Sequence, residues 1–428
     1  MTERTLRRVA ILGGSRIPFC RSNTQYQDLS NLDMLTAALN GLADRYQLAG
    51  VEIDEVGAGA VISHSKDWNL AREAVLSSKL SPLTTAYTVQ MACGTSLQAA
   101  VQLGAKIAIG QIDSAIAAGT DTTSDAPIVF GARFAKRLIK LANAKSLGER
   151  FAAFKGFRPG ELKPASPNAG EPRTRMSMGQ HCEIMAKQWG ISREEQDKLA
   201  WESHQKGARA LAEGFFDDLI VPCAGVSRDN HLRPDSTLEK LATLKPAFDK
   251  ESGKGTLTAG NSTPLTDGAS SVLLASEDWA AKRGLPVQAY LTFAKTASVD
   301  FVAGEGLLMA PTIAVARLLQ DAGLTLQDFD FYEIHEAFAA QVLCTLRAWE
   351  SDQYCRERLG LQGALGAIDP AKLNVNGSSL AFGHPFAATG GRVLATLAKL
   401  LNQRGSGRGL ISICTAGGMG IAAILEKP

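Results

Sequence analysis

Two stretches of this chain follow the same order of elements, and that repetition constrains the fold more than any other feature. The first is "AYTVQMACGTSLQAAVQLGAKIAIGQIDSAIAAGTD". It reads as a β-branched and aromatic strand, a turn, a helix by apolar spacing, then an apolar strand. The second, "LNVNGSSLAFGHPFAATGGRVLATLAKLLNQRGSGRGLISICTAGGMG", repeats that order, with His384 where the first has Cys93. The 41 glycines cluster after apolar segments, as they do where α/β sheets end their strands. The expectation is an α/β fold of two duplicated halves, with strands at Val9–Leu12, Glu55–Ile62, Ala86–Met91 and Ser114–Ala118 in the first.

The texture changes from Ala126 to about Gly255, where charge and proline rise. "FRPGELKPASPNAGEP" reads as a loop. "SMGQHCEIMAKQWGISREEQDKLAWESHQKGARALAEG" reads as two helices, with Ser192 and Glu195 spaced as a capping box at their junction. The expected units are an N-terminal half over 1–125, continued at about 255–276, an inserted loop domain over 126–254, and a C-terminal half over 277–428.

The bulk numbers exclude several classes. A chain of 428 residues has room for a sizeable core, and 45% hydrophobic with 21% charged residues is ordinary for a globular protein. A net charge of +2 gives no general attraction to nucleic acid. No apolar run approaches the roughly 20 residues that span a bilayer. The apolar stretch in "MTERTLRRVAILGG" is too short for a signal peptide and reads as a first strand. Seven scattered cysteines argue against a disulfide framework, which points to a reducing cytoplasm. Without a CxxC or HxxxH pair, no metal site is expected.

Four side chains sit on strand-end turns. Cys93 lies between strand-like "TTAYTVQM" and helix-like "SLQAAVQLGAKIAIG". Most free cysteines are small buried hydrophobes. A helix N-terminus, however, lowers a thiol's pKa and predicts fast alkylation. His384 is framed by Gly383 and Pro385 ahead of a helix near Ala387, which suits a positioned base. Cys414 ends the strand of "SICTAGGMGIAAILE" and enters a Gly-rich turn. His335, in "YEIHEAFAAQV", follows a strand and opens a helix. The set suits covalent acyl transfer: a nucleophile, its activator, an oxyanion donor and a second proton carrier.

With "SRIPF", "ACGTS", "GNSTPLTDGA", "HEAFA", "GHPFAATG" and "CTAGGMG" in family order, the chain resembles the thiolase family along essentially its whole length. "HEAF" in place of "NEAF", with the "FAKRLIK" insertion, is similar to the degradative type found in fatty-acid β-oxidation multienzyme complexes. The resemblance implies a five-layer αβαβα fold with an inserted loop domain, and a homodimer or dimer of dimers. It implies that 3-ketoacyl-CoA is cleaved by CoA through an acyl-Cys93 intermediate, with CoA a co-substrate and no permanent cofactor. His384 matches the activator of Cys93, Cys414 the acid/base thiol, and His335 the place of a water-holding asparagine. The backbone N–H groups of Cys93 and Ala416 match an oxyanion hole, provided Ala416 has negative φ. Met178 and Thr263 match positions at the pantetheine and acyl end.

The alternatives are a biosynthetic acetoacetyl-CoA thiolase, a decarboxylating ketoacyl synthase on the same fold, and a silent scaffold subunit. Residues 130–163 carry nine Lys/Arg against two Glu, with Phe134, Leu138 and Leu141 on one helix face and Leu147, Phe151 and Phe154 on another. That segment suits either a solvated cover or a docking surface for a hydratase/dehydrogenase partner or an anionic membrane.

Overall fold

The computed structural model describes residues 6–165 and 170–428. In chain order the first half supplies β1 (Ala10–Arg16), α1 (Asn31–Arg45), β2 (Glu55–Ala58), α2 (Leu70–Ser77), β3 (Thr85–Thr88), α3 (Thr95–Ala108) and β4 (Ser114–Asp121). The middle carries α4 (Ala132–Ala142), α5 (Leu147–Ala153), α6 (Met178–Gln188) and α7 (Arg193–Ala212). Then come β5 (Thr266–Ala275), β6 (Ala289–Ser298), α8 (Ala310–Ala322), β7 (Phe331–Ile334), α9 (Ala339–Glu350), α10 (Thr389–Arg404), β8 (Gly407–Thr415) and β9 (Met419–Lys427).

Strand order and direction reveal the duplication. The first half runs β3-β2-β4-β5-β1, with β3, β2 and β4 parallel and the last two joins antiparallel. In the second half Leu373 bridges in parallel to Tyr332 of β7; β7 then pairs in parallel with β8, and β8-β9-β6 are antiparallel neighbours. Numbered by order within each half, both sheets therefore read third-second-fourth-fifth-first. The two sheets join where β1 pairs with β6, at Ala10–Tyr290 and Ile11–Ala289.

Helices α1 and α2 cover the outer face of the first sheet and α8 that of the second. Between the sheets lie α3 and α10, giving the expected αβαβα layers. Leu97 and Leu103 of α3 and Val393 and Leu397 of α10 share one core with Val272 of the first sheet and Ile413 and Ile421 of the second. Helix α10 is buried without interruption from Thr389 to Leu401, as a helix enclosed on all sides must be.

Two expected strands stop early, for identifiable reasons. The stretch expected to reach Ile62 ends at Ala58, because the amides of Val61 and Ile62 are spent on the Asp121 carboxylate. The strand expected to reach Met91 ends at Thr88, and Ala92 turns the chain with φ 45°. The Ser192–Glu195 capping box is present, and α7 starts there. The expected loop "FRPGELKPASPNAGEP" holds a 3-10 turn, Pro159–Leu162, and two residues, Pro164–Ala165, paired with Val129–Phe130. Its residues 166–169 lie outside the described residues. Arg16 of "SRIPF" makes a buried two-point contact with Asp229 at 2.6 Å, tying the middle segment to β1.

Helices α3 and α10 touch through backbone. A Cβ on Gly390 would lie 2.6 Å from the Leu97 amide nitrogen. Gly390→Ala should therefore force the helices apart, costing about 1–3 kcal/mol, the usual scale of overpacking. Urea denaturation measures that cost, and acylation of Cys93 should fall with it.

Candidate active site

Each residue of "CGTS" has a local task. Thr95 accepts from the Met91 amide at 2.9 Å and donates to the Ala92 carbonyl at 2.7 Å, which fixes the turn before the helix. That turn holds Ala92 in the left-handed region, a conformation that non-glycine residues adopt at a cost. Ser96 donates to the Ala387 carbonyl at 2.5 Å and accepts from the Gly391 amide at 2.7 Å, joining the N-terminus of α3 to that of α10. Cys93 thereby projects from the start of one central helix toward the start of the other.

His384 is held from three sides. Gly383, at φ 94°, supplies a turn that a side chain would strain. The His384 amide donates to Thr266 Oγ1 at 2.7 Å, and Nδ1 contacts Thr389 Oγ1 at 2.5 Å. The Ala387 amide donates to Asp121 at 2.9 Å, the carboxylate that also holds Val61 and Ile62. Nε2 then lies 3.1 Å from Cys93 Sγ.

His335 leaves β7 with its amide donated to the Ser412 carbonyl at 2.9 Å. Its ring centroid is 4.1 Å from that of His384. Helix α9 does not open at His335, as expected, but at Ala339; "HEAF" is a buried loop. Donor atoms of Cys93, His335 and His384 all lie within 4.8 Å of one another, compact enough to suit a metal ion as well as a substrate oxygen. Cys414 is buried at the end of β8, electrostatically coupled to Cys93. The turn after it is held by Glu171, which accepts from the Gly417 amide at 2.9 Å. Ala416 is not among the residues with positive φ, whereas Gly417 and Gly418 are, at 76° and 70°. The main-chain N–H groups of Ala416 and Cys93 face Cys93 Sγ closely enough to favour its thiolate.

The structure brings Cys93, His384, His335, Cys414 and Ala416 together. Met178 begins α6 and packs against the core that holds Cys414 and Phe338. Thr263 is tied by its amide and hydroxyl to the Ala337 carbonyl, both at 3.1 Å. Sequence reasoning missed Asp121, Thr389, Ser379, Glu171 and Arg392. Arg392 left one signal, a cation in the first turn of a helix whose next six residues, 393–398, carry no charge.

The expected lowering of the Cys93 pKa is not the net effect. Burial pushes the thiol up to about 12, outweighing the Ala416 and Cys93 N–H groups, which pull it down. Burial and the Arg392 cation push His384 down to about 3, and burial, His384 and Arg392 push His335 well below the usual imidazole range. Burial and Cys93 push Cys414 up. The resting cluster is thus neutral. The thiol can lose its proton only to a base in contact with it, which is His384. His384→Ala should slow alkylation of Cys93 by iodoacetamide at neutral pH by about 10²–10⁴-fold, the scale of a lost general base. In that variant the rate should climb steadily with pH, because only direct ionisation of a high-pKa thiol remains. Peptide mapping of the labelled protein over a pH series measures both.

Two family descriptions match the chain: "Thiolase, N-terminal domain" over residues 9–278 and "Thiolase, C-terminal domain" over residues 285–427. The 3-ketoacyl-CoA thiolases of Yersinia pestis (strain Pestoides F) and Yersinia pseudotuberculosis (serotype O:3, strain YPIII) are each 40% identical to it over 425 residues, 98% of this chain and 97% of theirs. The crystal structure of the Bacillus anthracis acetyl-CoA acetyltransferase superposes with a TM-score of 0.81 at 30% identity, over 99% of this chain and 100% of that one. That of human mitochondrial 3-ketoacyl-CoA thiolase superposes with a TM-score of 0.80 at 29% identity, over 99% of each chain. With its duplicated sheets, its buried Cys–His–His cluster and matches over nearly its whole length, this chain belongs to the thiolase family.

Proposed function

We propose that this protein cleaves 3-ketoacyl-CoA with CoA, giving acetyl-CoA and an acyl-CoA two carbons shorter. The observation that carries the reading is the 3.1 Å contact between His384 Nε2 and Cys93 Sγ, with a second thiol, Cys414, at the end of β8, where burial and Cys93 push its pKa up. His384 takes the Cys93 proton as the sulfur attacks the 3-keto carbon. The C2–C3 bond breaks, the acyl group stays on Cys93, and acetyl-CoA leaves as an enolate protonated by Cys414. The incoming CoA thiol gives its proton back to Cys414, attacks the acyl-Cys93 carbonyl and frees the sulfur. Negative charge appears on substrate oxygens only after attack begins. Donors aimed there, the N–H groups of Cys93 and Ala416 and the imidazole of His335, favour the transition state over the ground state. Met178 and Thr263 are assigned to the pantetheine and acyl end, and residues 126–254 to an inserted domain beside the site. No permanent cofactor is required, since both half-reactions move only an acyl group and protons.

A decarboxylating synthase needs no second thiol to manage a proton at the α-carbon, so Cys414 favours thiolysis over that alternative. A dimer is supported by the free edge of β3, near which Trp68 and Leu83 are 93% and 69% exposed. Among the described residues no helix is long and apolar enough to cross a membrane. The basic segment 130–163 is proposed as the contact to an anionic membrane. Phe134 turns inward onto Phe130 and Phe157, while Ile139, Leu147 and Phe151 stay exposed. Arg137 is spent inside this hairpin, on Glu161 and on the Ala153, Lys155 and Gly156 carbonyls. A charge test therefore belongs at Arg133, Lys136 and Lys140. Their reversal to Glu should abolish salt-sensitive binding to phosphatidylglycerol vesicles with thiolysis unchanged. Retained binding would favour a solvated cover or a partner-subunit surface.

Cys414→Ala should block thiolysis while Cys93 still accepts an acyl group from an activated donor, because the nucleophile and its base remain. His335→Ala should lose about 10²–10³-fold in kcat with KM little changed, and His335→Asn should keep substantial activity. A coupled CoA assay across a chain-length series of 3-ketoacyl-CoA substrates tests the reading as a whole. Failure to cleave any of them would overturn it.

A further inference from the structure

Behind His335 stand two residues that the reaction scheme does not use. Ser379 Oγ lies 2.8 Å from His335 Nδ1 and 2.7 Å from Arg392 Nη2. All three side chains are buried, and Arg392 on α10 also reaches Ser378 Oγ at 3.2 Å. Counting hydrogens decides who donates. A guanidinium can only donate, so the Arg392 contact occupies a lone pair of Ser379. The hydroxyl has one hydrogen, and among the described residues no other acceptor lies within reach of it. That hydrogen therefore goes to His335 Nδ1, which must be the bare nitrogen of the ring. The single proton of a neutral imidazole then sits on Nε2, and among the described residues Nε2 has no hydrogen-bond partner.

We infer that Arg392 and Ser379 are positioning residues that hold His335 in the Nε2–H tautomer, so that it offers an N–H to the space it shares with Cys93 and His384. The inference deepens the thiolysis reading and rests on it for its kinetic consequences. An unpartnered buried N–H calls for an acceptor, and the substrate oxygen that gains charge supplies one. Burial keeps both imidazoles neutral, and the Arg392 cation adds to it by pushing the basicity of each further down. The same tautomer bears on the three clustered donors. With Nε2 protonated, His335 presents no lone pair there, so the trio is a hydrogen-bonding site rather than a ligand set.

The tautomer can be read without turnover. In wild-type protein labelled with ¹⁵N-histidine, long-range ¹H–¹⁵N spectra should show His335, assigned by the loss of its signals in His335→Asn, with Nδ1 bare and Nε2 protonated. A protonated Nδ1 would overturn the inference whatever the protein's activity. If wild-type thiolysis is present, Ser379→Ala should lower kcat by roughly 10–100-fold, the scale for removing a group that orients a catalytic one, with KM little changed. Ser379→Thr should restore it. In the His335→Asn background the same Ser379→Ala change should cost nothing further, because an amide has no tautomer to set. No loss in wild type, or an equal loss in both backgrounds, would mean a merely structural serine and would overturn the inference. Should Ser379→Ala fail to fold, the wild-type spectrum still decides.

Discussion

The rest of the structure depends on the close crossing of α3 and α10 between the two sheets. Glycine at 390 lets backbone meet backbone, and Ser96 bridges the two N-termini through the Ala387 carbonyl and the Gly391 amide. The reactive pair comes one from each half of a duplicated chain. Cys93 precedes the helix of the first half and His384 that of the second. Neither half alone could place a thiol 3.1 Å from an imidazole. The five layers thus have a chemical consequence: they enclose both helix starts, and with them the cluster, away from bulk water.

That enclosure sets the electrostatics. In an exposed site a helix terminus and two amide donors would ionise a cysteine. Here burial wins, and thiol and imidazole both rest uncharged. Forming an ion pair in such a place is costly unless the charge moves on at once to an oxygen that fixed donors are waiting to receive. A neutral resting pair makes the reactivity of the thiol depend on proton transfer to His384 rather than on a standing thiolate.

Much of this was legible in the sequence. The repeated strand–turn–helix–strand order predicted two equivalent halves, and sheet order and direction repeat in both. Cys93, His384 and Cys414 were visible because each follows an apolar run and meets a glycine or a helix start, and His335 because it directly follows strand β7. The net pKa of Cys93 was not legible, since it turns on how much protein lies over the thiol, which no local pattern encodes. The short ends of β2 and β3 were hidden for a similar reason. The apolar pattern continues past each strand, but the amides after β2 are claimed by Asp121, some 60 residues away, and the chain after β3 is turned by Ala92 at φ 45°. The nine Lys/Arg of 130–163 did not reveal that Arg137 is spent inside the segment, because helical spacing cannot show the Glu161 carboxylate it pairs with.

Arg392 joins these threads. A cation buried in a helix wrapped on all sides is expensive, and burial pushes even this guanidinium down to about 10. The buried carboxylates of Glu333 and Glu336 oppose that shift, so the cation has counter-charges in the resting fold as well. Its hydrogen bonds go to Ser378 and Ser379, and its field falls on both active-site imidazoles. A side chain that opposes protonation of His384 must be tolerated when His384 takes the Cys93 proton. It therefore makes that step harder while it fixes the donor that receives the resulting charge. Such a trade is favourable only where the imidazolium is transient and the oxyanion is the species that limits the rate. The cost of a buried cation is then offset partly in the resting fold, by Glu333 and Glu336, and partly at the transition state.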